Sequence, residues 1–168
     1  LVEELLRDCP ELILEIQLSI DGVKESHDTI RGKGQFERLM STYRLLKPIQ
    51  DRNQRLRIRF NFTFSAQSQD NFMETFDFVV KDLENPHFDM VLVRRATADA
   101  SFFEPANMDI YKKATQFLQE QEREKATGVL ERLLAERAGV ERDIIRSHYQ
   151  KKRKLDNCQA GTLTAILS

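Results

Sequence analysis

No hydrophobic run in this chain approaches the ~20 residues that a membrane helix needs. There are two cysteines, Cys9 and Cys158, too few for a disulfide framework. That economy fits a reducing, cytoplasmic setting. Positive charge is not in excess: 26 Lys and Arg against 27 Asp and Glu give a net charge of −1. A dedicated nucleic-acid binder would show a broad basic surplus, so nucleic acid is not an expected partner, and neither is a membrane. No signal peptide opens the sequence, because LVEELLRDCPEL is charged and reads as the end of a helix. There is no initiator Met, and the closing GTLTAILS stops on a strand pattern, so the chain is expected to be an internal fragment. Internal repeats and low-complexity tracts are missing too. What is present is 168 residues, 40% hydrophobic and 32% charged, enough to bury a core in a domain of ordinary length.

Periodicity sets the order of elements. Leu1, Val2, Leu5 and Leu6 have helical spacing, closed by Pro10. Over residues 12–20, Leu14, Ile16, Leu18 and Ile20 fall on one side, the period of a strand, and Asp21-Gly22 supplies the turn that ends it. A polar loop, VKESHDTIRGKG, is expected next. A helix is predicted from about Gln35 to Ile49, with Phe36, Leu39, Met40, Tyr43 and Leu46 on one stripe. Residues 55–65 alternate again, with Leu56, Ile58, Phe60, Phe62 and Phe64 on one face and Arg57, Arg59, Asn61, Thr63 and Ser65 on the other. A helix over 69–83, a strand over 88–93 and a loop, RRATADASFFEP, follow. Helical pieces are then expected from about Asn107 to Lys154, broken near Gly128 and Gly139, before a last strand in GTLTAIL. Strands joined by helical crossovers of this length pair in parallel. The class is α/β, built as half a barrel or as a small open sheet, and in either case ligands sit at the C-terminal strand ends.

Those ends carry the polar candidates. Ser19 and Asp21 are two residues apart and are expected to point the same way, offering a hydroxyl and a carboxylate suited to ribose or to a metal-bound group, or else simply capping the turn. His27 and Asp28 form an adjacent pair of the kind found in metal phosphohydrolases, but His87 precedes its strand and His148 is distant, so local loop hydrogen bonds are the competing reading. Arg31 could hold a carboxylate bidentately or be an ordinary surface cation. Asn61 and Thr63 either line a substrate pocket inside a closed barrel or face solvent on an edge strand. The Asn61-Phe62-Thr63 sequon is discounted because it lies in mid-strand. The basic run at 151–154 suits a helix C-terminus, and Cys158 follows it in a polar turn that would leave a thiolate accessible.

The block from Ser19 to Gly32, SIDGVKESHDTIRG, resembles radical S-adenosylmethionine enzymes, in particular the subgroup with a C-terminal SPASM or related auxiliary-cluster domain. The match continues through Phe36 and through FNFTFS at 60–65. Cys158-Gln159-Ala160-Gly161 is similar to the entry of the auxiliary domain. The resemblance implies the C-terminal half of a partial (β/α)6 TIM-like barrel over 1–106, a long helical segment over 107–155, and the truncated start of an auxiliary iron–sulfur domain over 156–168. It implies S-adenosylmethionine as cofactor, with Ser19 on its ribose, Arg31 on its carboxylate, Asp21 in support, and backbone at Val91 and Leu92 beside the adenine. It further implies a radical-generating [4Fe-4S] cluster, an auxiliary [4Fe-4S] cluster with Cys158 as first ligand, a reductant such as flavodoxin or ferredoxin, and a peptide or protein substrate. The chain has no Cys-x-x-x-Cys-x-x-Cys motif and no glycine-rich segment for the methionine amino group, so by itself it is expected to be inactive. The alternatives are a non-catalytic binding module that docks through 107–155 and a metal phosphohydrolase built on His27 and Asp28.

Overall fold

A computed structural model describes residues 1–92, 107–128, 139–140 and 143–144. The chain divides into two compact units, Leu1–Asn107 and Met108–Ser168. In the first, helix α1 (Val2–Asp8) leads to strand β1 (Leu14–Ser19), helices α2 (Glu25–Arg31) and α3 (Gln35–Arg52), and strand β2 (Leu56–Phe64). A 3-10 turn (Gln69–Asn71), helix α4 (Phe72–Asp77) and a π-helical turn (Phe78–Asp82) lead to strand β3 (Phe88–Leu92). The strands form one sheet in the order β1-β2-β3, and both pairings are parallel. This is a mixed α/β architecture with a three-stranded parallel sheet. Strand β2 is central, which corrects the alternative of a solvated edge strand.

The two sheet faces differ because the sequence alternates. Leu18, Leu56, Ile58, Phe60, Phe62, Phe64, Phe88 and Met90 are buried on one side. Helix α3 covers that side, bringing Tyr43 onto Phe60 at 5.2 Å between ring centroids, and α4 brings Phe72 edge-on to Phe62 at 5.6 Å. Phe62, Phe72, Phe76 and Phe88 form one aromatic cluster, in tilted and edge-on geometries apart from the stacked Phe72–Phe76 pair. The opposite face carries Glu15, Gln17, Ser19, Arg57, Arg59, Asn61, Thr63, Asp89 and Val91, all exposed or half-buried. On it Arg59 bridges all three strands, 3.5 Å from Glu15 and 3.7 Å from Asp89. Most parallel sheets are apolar on both faces. A polar second face on a parallel sheet is therefore a feature to account for.

Arg55 fixes how the chain enters the sheet. Its guanidinium donates to the carbonyls of Leu6 (2.5 Å), Cys9 (2.9 Å) and Pro10 (2.6 Å), gathering the unsatisfied C-terminal end of α1 onto the start of β2. Buried Asn85 does the same at β3: its Nδ2 donates to the Ile58 carbonyl and its Oδ1 accepts from the His87 amide.

Several expectations change in detail. The segment expected as a polar loop after β1 holds a helix of about two turns, α2, whose residues bury His27 rather than an apolar stripe and so give no helical periodicity. The helix expected over 69–83 is a composite of 3-10, α and π geometry, with Leu83 donating to Phe78. Helix α3 runs three residues beyond its expected end, through Pro48. In the second unit, α5 (Met108–Lys125) buries Tyr111, Ala114, Thr115 and Leu118 on one stripe, and a bend falls at Gly128. Gly139 itself has helical backbone, and the segments on either side of 139–140 lie outside the described residues. The expected loop 94–105, the run at 151–154, Cys158 and the last strand lie outside the described residues. Among the described residues no helix is long and apolar enough to cross a membrane.

Phe62→Ala removes the ring at the centre of the aromatic cluster. It is expected to cost about 3–5 kcal/mol, read as a lower urea midpoint with an unchanged slope.

Candidate functional site

β1 separates from β2 one residue after Ser19. The Ile20 amide still donates to the Asn61 carbonyl at 3.0 Å. In a continuing parallel ladder the Thr63 amide would next donate to the Ile20 carbonyl. It donates instead to Asp21 Oδ1, at 2.8 Å. The Asp21 side chain thus takes over as acceptor at the point where the backbone turns away.

Asp21 is 2% exposed and satisfied on every side. Its Oδ2 accepts from Arg31 Nε at 2.5 Å, its amide donates to His27 Nδ1 at 3.1 Å, and its carbonyl accepts from Asn71 Nδ2 at 3.4 Å. Arg31 Nη2 donates onward to Thr63 Oγ1 at 3.2 Å. Four segments of the chain (the strand-end turn, α2, β2 and the 3-10 turn) therefore meet at one residue. The Arg31 side chain remains 36% exposed, and its Nη1 makes no hydrogen bond among the described residues.

Gly22 makes this turn possible. A Cβ there would lie 2.7 Å from Ser26 Cβ and 2.8 Å from the His27 amide nitrogen, well inside contact distance. Any side chain would push α2 away and with it both His27 and Arg31. Asp28, one residue after His27, faces the other way. Its carboxylate accepts from the amides of Gly34 (2.6 Å) and Phe36 (2.7 Å), capping the N-terminus of α3, and these bonds hold its pKa below the usual carboxylate value. Gly34 sits at φ +80°, a left-handed geometry that suits glycine.

The expectation that Ser19 and Asp21 share one direction is corrected. Period-2 alternation ends with β1: Ser19 is exposed, whereas Asp21 is buried at the end of the ladder. Asn61 stands opposite Ser19 on β1 and Asp89 on β3, on the polar face. Its Oδ1 is buried and, among the described residues, has no hydrogen-bond partner. Thr63, two residues on, joins the Arg31 network through both its amide and its hydroxyl. Val91 is half exposed at the end of β3, and the Leu92 backbone closes that strand. Ser19, Asp21, Arg31, Asn61 and Thr63 all belong to the C-terminal ends of β1 and β2 or to the helix that follows. Cys158 lies outside the described residues.

His27 is placed inside this network and is not a free ligand. It is 2% exposed, its Nδ1 is engaged by the Asp21 amide, and its ring meets Phe36 edge-on. Both Asp28 oxygens are committed to α3. Among the described residues no three His, Cys, Asp or Glu side chains come close enough to share a metal ion. His87, as expected, precedes β3 at the opposite end of the sheet. The roles of His27 as an acceptor, of Asn71 and of Ser68 are scarcely legible in the sequence pattern. Ser68 is fully buried and ties the end of β2 by donating to the Thr63 carbonyl and accepting from the Ser65 amide. The Ser65-x-x-Ser68 spacing in a polar turn was the available signal for that last one.

Asp21→Ala leaves Arg31 and the Thr63 amide without their acceptor, and is expected to cost about 3 kcal/mol by urea unfolding. The pH dependence follows from two lowered pKa values. Burial first, and then Arg31 opposing the nearby carboxylates, holds His27 below its ordinary 6.5. A depressed folded pKa means that the unfolded chain binds the proton more readily, so stability is full above 6.5 and declines as the pH falls below it. Asp28 adds a second decline below 3.8. Thermal melts should show the first decline in the native chain and lose it in His27→Asn, while the second persists in both. Comparison with protein-family models, curated proteins and solved structures gave no match.

Proposed function

We propose that this chain is part of a radical S-adenosylmethionine enzyme and that the C-terminal mouth of β1 and β2 binds the cofactor. The observation that carries the reading is the state of Arg31. Asp21 takes its Nε and Thr63 takes one Nη2 hydrogen, which fixes the plane of the guanidinium and leaves the Nη1 edge to pair with a carboxylate. On the same reading the exposed Ser19 hydroxyl meets the ribose, the backbone at Val91 and Leu92 borders the adenine, and Asn61 and Thr63 line the pocket. The buried Asn61 amide oxygen, without a partner among the described residues, supports a ligand there, since such an atom costs free energy until a donor reaches it. The polar face of the sheet supports a strand set that lines an interior, as in half of a (β/α)6 barrel. The bound cofactor and a reduced iron–sulfur cluster would supply a 5′-deoxyadenosyl radical for hydrogen abstraction from a peptide or protein.

The residues present fit the nucleotide and not the cluster. Cys9 is the single described cysteine, exposed before β1 at the far end from the mouth. The radical-generating ligands, the docking of flavodoxin or ferredoxin, and Cys158 as ligand of an auxiliary cluster all lie outside what these residues can hold. The chain's own part is to bind, orient and keep charge in place. Asp21 neutralises Arg31 on its inner edge, and Arg31 offers its outer edge.

Reading the gene upstream of Leu1 tests the proposal. An in-frame Cys-x-x-x-Cys-x-x-Cys is expected, and its absence overturns the reading. In the full-length protein Arg31→Gln should weaken S-adenosylmethionine binding roughly tenfold or more, the size of one lost charged hydrogen bond, with a smaller loss for Ser19→Ala. Unchanged affinity in Arg31→Gln counts against the site as assigned.

A further inference from the structure

We propose that His27 is a protonation-gated positioning residue: neutral, it holds the Asp21 backbone so that the Asp21 carboxylate presents Arg31 at the mouth, and protonated, it lets Arg31 go. The geometry leaves little choice. The Asp21 amide is a donor at 3.1 Å and demands a lone pair on Nδ1. Adding a proton to Nδ1 sets two donors against each other. The site is 2% exposed, so bulk water is not at hand to relieve the conflict.

The charged and packed groups around the imidazole decide where it turns. From the strand-end turn comes Asp21. From α2 come Asp28 and Arg31, and from α3 comes the edge of Phe36, with 5.9 Å between ring centroids. An imidazolium is repelled by Arg31 and attracted by the two carboxylates. If Asp21 accepts the new N–H, it gives up Arg31 Nε or the Thr63 amide. If Asp28 accepts it, α3 loses a cap from Gly34 or Phe36. Phe36 offers only an apolar edge. Each route loosens α2, the helix that ends in Arg31. The proton comes from solvent and returns to it when the pH rises, and no other covalent bond changes. Burial keeps the ring neutral near pH 7, so the gate stands closed there and opens on acidification. That Arg31 then holds a ligand carboxylate rests on the functional reading above. The coupling of His27 to Arg31 does not.

The test needs no ligand. In the isotope-labelled chain, NMR reads the His27 ring nitrogens and the Arg31 Nε–H between pH 7.5 and about 5, with far-UV circular dichroism recorded alongside. The expected result is loss of the protected Arg31 Nε–H signal with the same midpoint as His27 titration, below 6.5, and an unchanged dichroism spectrum. In His27→Asn, whose Oδ1 accepts from the Asp21 amide at every pH, the Arg31 signal should persist. Three results overturn the proposal: an Arg31 signal that survives His27 titration, a signal lost equally in His27→Asn, or a loss that coincides with global unfolding. Should His27→Asn not fold, the paired midpoints in the native chain decide. A switch present without S-adenosylmethionine binding would separate failure of the functional reading from failure of this one.

Discussion

A carboxylate sealed from water must have its acceptor capacity met by the protein, and Asp21 meets that demand by ending a sheet. Its oxygens take the Thr63 amide and Arg31 Nε, while its own backbone is held by His27 and Asn71. A buried charge with partners of this quality is strongly destabilising to break, though it gives little net stability over an apolar replacement. Its value is positional. The turn after β1, the short helix α2 and the end of β2 have one mutual arrangement that satisfies all of these groups, so Arg31 is delivered to the mouth of the sheet in a defined orientation.

The same few residues divide two tasks by direction. Asp21 looks inward to the ladder and Arg31, and Asp28 looks outward to the first amides of α3. Both rely on the close approach that Gly22 permits. Site and scaffold are thus one construction. The helix that carries Arg31 also caps the long helix that covers the apolar face, and a disturbance at His27 reaches both.

The sheet is parallel yet two-faced. Its aromatic side is closed by α3 and α4, and its polar side carries the Arg59 bridge, Asn61 and Thr63. Among the described residues the buried Asn61 oxygen has no donor, which a purely structural sheet gains nothing from. That oxygen, the exposed Ser19 hydroxyl and the Nη1 edge of Arg31, which makes no hydrogen bond among the described residues, all belong to the C-terminal end of the sheet, where α/β proteins bind ligands.

Alternation and spacing alone determined the strands, the α3 stripe and the parallel class, because side-chain direction along a regular element is fixed by its period. Leu56, Ile58, Phe60, Phe62 and Phe64 could be assigned to one face with no partner in view, and His87 to the N-terminal end of its strand. Where the chain leaves regular structure, period loses its meaning. Ser19 and Asp21 part company because β1 ends between them, and α2 escaped notice because it buries a histidine rather than a hydrophobic stripe. The pairing of Asp21 with Arg31, ten residues on, and with Thr63, on the neighbouring strand, depends on which groups remain unsatisfied once the strands are side by side. The sequence determined which residues could carry charge and hydrogen bonds. Only the tertiary structure decided which of them are buried together, because that choice is made by desolvation, and desolvation exists only in the folded chain.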